Sequence, residues 1–127
     1  MSATEMHDIP DTERDRDTRM ENFAAELTHA VYPVVLRRGL KDSWIKMELG
    51  LWRAVEEVLK RWDRLRPSAA SAAELEAWRD GLLVDLTESA FYIALRSGIQ
   101  GSFLEVELGL YQAFRAVVQR NRGRTPV

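Results

Sequence analysis

Apolar residues recur at three- and four-residue intervals along most of this chain, and the pattern breaks only at glycine, proline and serine positions. Phe23, Leu27, Ala30, Val31, Val34 and Val35 keep helical spacing as far as Gly39. A glycine just past a helix end is the usual terminator, because it adopts the left-handed conformation without strain. Leu40 follows it, placed to touch Val35, and Arg37 lies in the last turn, where the helix dipole favours a cation. Ser43 then caps a second helix, in which Trp44, Leu51, Val55, Val58, Leu59 and Trp62 fall in one arc at 100° per residue. The turn from Gly39 to Asp42 is short, so the two helices run antiparallel and side by side as an αα-hairpin. Pro33 is expected to kink the first helix or to delay its regular part.

The succession then returns. Arg66 to Ala70 reads as a loop, and Ser71 caps a helix that either reaches Ser97 unbroken or is interrupted near Asp80-Gly81. Gly98 ends that segment, Ser102 with Glu105 three residues on forms a capping box, and Phe103, Leu110, Phe114, Val117 and Val118 fill an arc matching the earlier one. Set over each other at an offset of 59 without gaps, residues 26–62 and 85–121 are identical at 13 of 37 positions. Unrelated segments would share roughly two. The pattern therefore predicts an all-α, four-helix bundle built from two tandem αα-hairpin repeats with approximate internal twofold symmetry. Residues 1–19 are expected to be a mobile charged tail, 20–66 the first hairpin, 67–71 a linker, 72–121 the second hairpin and 122–127 a mobile basic tail, with 20–121 as one domain.

Composition narrows the chemistry. The 127 residues are 46% hydrophobic and 30% charged, ordinary for one globular domain, and 18 Lys+Arg against 20 Asp+Glu leave a net charge of -2. No global field points to nucleic acid or an anionic membrane. Zero cysteines remove disulfides, thiolate metal sites and cysteine nucleophiles, and two histidines leave little for a zinc site or a Ser/His/Asp triad. The longest apolar stretch, Ala30 to Leu36, has seven residues and contains Pro33, so no membrane span is expected, and the N-terminus lacks a basic start followed by an apolar block. A cytoplasmic location is the expectation.

Both copies keep a glutamate, Glu48 and Glu107, at an angle inside the apolar arc. A buried carboxylate must be paired or protonated, and Arg37 and Arg96, across the turn, are within arginine reach. Buried Arg37–Glu48 and Arg96–Glu107 ion pairs are therefore expected. The sharper alternative is a ligand or metal pocket around Glu48 and Glu107 at the bundle centre. Glu26-x-x-His29 has carboxylate–histidine spacing, but His29 lies about 15 Å along the helix from the turn, against about 7 Å for Glu48, so it does not complete such a site. No metal or other cofactor is expected.

Gly50-x-x-x-Ala54 recurs as Gly109-x-x-x-Ala113. An interior helix glycine costs roughly 1 kcal/mol relative to alanine, so keeping it twice points to a close helix approach, between the two second helices or with another subunit. Trp44, Trp52 and Tyr111 stand at positions that keep aromatic class in both copies and read as core or interface anchors. Lys60, Arg61, Arg64 and Arg66 gather at the end of one second helix, and Arg115, Arg120, Arg122 and Arg124 at the end of the other. The helix dipole accounts for most of these cations, and a phosphate-contacting patch is the alternative. The combined expectation is a non-enzymatic helical interaction module, a small subunit or adaptor that self-associates or docks with a protein partner in a larger assembly. A nucleic-acid-binding helical subunit is the alternative.

Overall fold

The computed structural model describes residues 13–41, 43–124 and 127. Four helices account for almost all of them: α1 (Glu13–Leu36), α2 (Trp44–Arg64), α3 (Ala72–Arg96) and α4 (Phe103–Arg120). Each packs against two neighbours in a ring, α1 on α2, α2 on α3, α3 on α4 and α4 on α1. Among the described residues there are no strands.

Local chemistry sets the helix ends. Gly39 and Gly98 terminate α1 and α3 at φ 73° and 78°, the left-handed conformation that the spacing demanded. Ser43, Ser71 and Ser102 cap α2, α3 and α4, accepting from the amides of Ile45, Glu74 and Glu105. The reciprocal box forms at Ser71, whose amide donates back to Glu74 at 3.2 Å. Glu105, expected to complete a box with Ser102, instead pairs with Arg38 at 3.2 Å.

Two boundaries differ from the sequence reading. Helix α1 begins at Glu13 and not near residue 20, with Arg16 Nη2 donating to both carboxylate oxygens of Asp63 on α2 at 3.0 and 3.1 Å. The run ERDRDTR lacks an apolar period, but its residues are mostly tolerable helix formers and Arg16 is anchored laterally, which helps to extend an existing helix. Residues 1–12 of the expected tail lie outside the described residues. At the other end Val127 is buried beside Met20, Leu59, Trp62, Trp78 and Leu82, so the last residue closes the bundle where a mobile end was expected. Helix α3 runs unbroken through Gly81, and α1 continues three residues past Pro33 to Leu36.

The core runs along the ring's axis. Leu27, Val31 and Val35 of α1 join Met47, Leu51, Val55 and Val58 of α2, Leu82, Leu86, Ala90 and Ala94 of α3, and Val106, Leu110, Phe114 and Val117 of α4. Each large aliphatic side chain so buried contributes roughly 1.5–3 kcal/mol. Thr28 and Thr87, buried 59 positions apart, satisfy their hydroxyls on the carbonyls of Ala24 and Leu83, both at 2.8 Å.

The two hairpin turns lie at the same end and exchange backbone hydrogen bonds. Lys41 N donates to Ser97 O at 3.1 Å, and Gln100 N donates to Arg38 O at 2.9 Å. Position 41 corresponds to 100 and position 38 to 97 at the 59-residue offset, so the same bond is made in both directions.

Candidate functional site

Helices α2 and α4, which carry the duplicated small residues, sit diagonally across the ring and do not form one of its packed pairs. This corrects the expected crossing of the two second helices at Gly50 and Gly109. A Cβ on Gly50 would lie 3.0 Å from Ile93 Cγ2 on α3, and one on Gly109 would lie 3.0 Å from Val34 Cγ1 on α1. Each glycine therefore admits a branched side chain from the first helix of the opposite hairpin, and Ala54 and Ala113 are half-buried one turn further on.

The buried ion pairs are also corrected. Arg37, Arg96 and Glu107 are exposed and Glu48 is half-buried. Arg37 Nε donates to the Pro33 carbonyl at 3.2 Å, and the Arg96 guanidinium lies 5.6 Å from the centre of the Tyr92 ring. Helical angle alone misplaced the glutamates, because both stand within the first two turns of their helices. There the Cα–Cβ bonds tilt toward the helix N-terminus and carry side chains to the open end of the bundle. Trp44 and Phe103 are exposed for the same reason, whereas Met47 and Val106 supply the buried contacts at this level. Among the described residues no group of three or more His, Asp or Glu side chains could hold a metal ion.

At the basic helix ends, Arg61, Arg120 and Arg122 are built into ion pairs. Arg61 reaches Asp85 at 2.6 Å and Arg120 reaches Glu26. Trp62 Nε1 donates to the same Asp85 oxygen at 2.7 Å, and Asn121 Nδ2 donates to Glu26 at 3.2 Å. Positions 61, 62 and 85 correspond to 120, 121 and 26, so an acid on one hairpin accepts from a cation and a neutral donor on the other, twice. The Arg120 hydrogen bond, reinforced by Asn121 and by the charges of Arg120 and Arg124, holds the Glu26 carboxyl below the usual carboxylate range against a smaller opposing effect of burial. Arg122 pairs with Glu76 at 2.6 Å, and Arg66 lies 5.4 Å from the centre of the Trp78 ring. Lys60 and Arg64 border a groove shared with Asp17, Glu21, Glu56 and Asp63, while Arg115 and Arg124 are exposed. Trp78, which has no duplicate, is buried and donates to the Trp62 carbonyl at 2.9 Å.

Chemistry of another kind collects at the turn end. Leu36, Trp44, Ile45 and Leu49 in the first hairpin, and Leu95, Phe103, Leu104 and Leu108 in the second, are between 39% and 74% exposed. They are four pairs of positions 59 apart. Single exposed leucines are commonplace, but eight large apolar side chains at equivalent places are not scatter. Compared with known proteins, the chain matches no family model, no curated protein and no solved structure.

In the second hairpin the apolar side chains border a groove of about 410 Å³ between α3 and α4, lined by Val84, Thr87, Glu88, Leu104, Glu107, Leu108 and Tyr111. Phe103 sits beside it with its ring edge on Phe91, centroids 6.4 Å apart. In the first hairpin Ile45, Leu49 and the half-buried Trp52 hold the corresponding places on α2. Sequence reading identified Trp44, Trp52 and Tyr111 but passed over Val84, Ile45, Leu49, Leu104 and Leu108. The available signal was that the positions of Ile45 and Leu49 stay aliphatic in both copies although their helical angle points away from the core.

Proposed function

We propose that this chain is a non-enzymatic helical interaction module that docks with protein through the apolar faces beside its hairpin turns. The observation that carries the reading is the repeated exposure of large apolar side chains at positions 36/95, 44/103, 45/104 and 49/108. Leaving that much apolar surface in water forgoes roughly 25 cal/mol per Å², which a covering partner would recover. The reading includes two hairpins derived from one unit and related by an approximate dyad, an arrangement supported by the recurrence of ion pairs, turn bonds and glycine contacts at the 59-residue offset. Nucleic acid is a weaker occupant, since Arg61, Arg120 and Arg122 already meet carboxylates.

A photoreactive residue placed at Leu49 or Leu108 in cells that make the protein should yield discrete crosslinked products. The same residue at Ser68 or Gln119, which are exposed and toward the end of the bundle opposite the turns, should yield none. Equal yields from all four positions, or no product from any, would sink the proposal.

A further inference from the structure

We infer that the α3–α4 groove is a self-association face, on which a second copy of this chain lays its own α4 antiparallel to α4 about a local twofold axis. The inference rests on the reading of the apolar faces as docking surfaces and names the occupant of one of them. Val84, Leu104 and Leu108 are each more than half exposed along the groove. Among the described residues Glu88 and Glu107 line it without a side-chain hydrogen bond or ion pair, and Arg115, exposed on α4, has none either.

The order of charges along α4 selects a second copy. Glu107 lies four residues before Tyr111 and Arg115 four after it. A twofold axis near Tyr111 therefore sets each Glu107 against the partner's Arg115, making the same pair twice, while Tyr111 meets its counterpart on the axis between the two pairs. Such a self-complementary contact closes at two subunits. The same operation about Trp52 on α2 would set Glu48 against Glu56 twice, and Ala25 stands where α3 has Val84. Like charges and a smaller apolar residue disfavour that pairing, so the inference belongs to the second hairpin alone.

The area is adequate. At ordinary side-chain sizes the exposed parts of Val84, Phe103, Leu104 and Leu108 amount to roughly 400 Å², about half of the ~800 Å² that one partner gives to a standard interface.

Sedimentation equilibrium of the full chain tests this. The unaltered protein should form a dimer at micromolar concentration. Glu107→Arg and Arg115→Glu should each weaken association roughly tenfold or more, and an equimolar mixture of the two variants should associate again, because the mixed pair restores opposite charges at both contacts. Both sites are exposed, and unchanged helical circular dichroism would confirm that the fold is kept. A strictly monomeric parent chain, a dimer indifferent to both substitutions, or variants that fail to rescue each other would overturn the inference. If the parent is monomeric while Leu108 still crosslinks to a different protein, self-association falls and the docking reading stands.

Discussion

At the scale of single residues, the acids Glu26 and Asp85 do more than the glutamates in the apolar arcs. Asp85 accepts from Arg61 and from the partly buried indole of Trp62, so Asp85→Ala leaves an N–H without a partner as well as removing an ion pair. The exposed pair alone would contribute about 0–1 kcal/mol, and the stranded indole raises the expected loss to about 1–3 kcal/mol, readable as a lower urea midpoint. Glu26 adds a pH dependence. Its folded carboxyl titrates below the unfolded one, so the Arg120 and Asn121 contacts contribute fully above the ordinary glutamate range and are lost as pH falls through the lowered value. The urea midpoints of the parent and of Glu26→Gln should therefore differ at neutral pH and converge in acid. A difference independent of pH would show that the charge on Glu26 is not what stabilises the contact. Sequence reading saw the cations of both pairs, Arg61 and Arg120, and assigned them to helix dipoles. Their acids lie one helix away, and a periodicity read along one helix does not say which charge on the next stands opposite.

At the scale of helices, Gly81 shows how packing outweighs propensity. In an isolated helix, glycine to alanine is worth roughly 1 kcal/mol of added stability. Here a Cβ would overlap the six-membered ring of Trp62, which is pinned by its bond to Asp85 and by the Trp78 bond to its carbonyl. Gly81→Ala should consequently destabilise by about 1–3 kcal/mol, measured by thermal unfolding, whereas an increase in melting temperature would mean that the ring can move aside. Sequence reading left Gly81 open as an interruption of the helix. What decides the point is an indole arriving from 19 residues earlier, which no local rule contains. The helix ends were legible because Gly39, Gly98, Ser43, Ser71 and Ser102 act on their own neighbours. The start of α1 was not, since Arg16 is held by Asp63 on another helix.

At the scale of the molecule, a set of contacts that recur at the 59-residue offset joins the two hairpins. Arg61–Asp85 and Gly50–Ile93 join α2 to α3, Arg120–Glu26 and Gly109–Val34 join α4 to α1, and the two turns bond to each other. The offset was visible in the sequence, and the hydrophobic arcs named the core faces, but the diagonal placement of α2 and α4 was not, because an arc gives a direction and not the identity of the helix it meets. This distribution has a thermodynamic consequence. A hairpin on its own would expose the apolar side of both its helices, and chains near 50 residues bury too little surface to offset their conformational entropy. Residues 1–66 and 67–127, made as separate chains, should each show weak helical circular dichroism and no cooperative melt. Mixed at equal concentration they should recover a cooperative transition, since α1 then finds α4 and α2 finds α3. The recovered transition should weaken on dilution, and Gly50→Leu in the first fragment should suppress it by driving a side chain into Ile93. A first fragment that melted cooperatively alone would mean that the contacts inside one hairpin suffice, and that the bonds between hairpins orient two stable units instead of creating one.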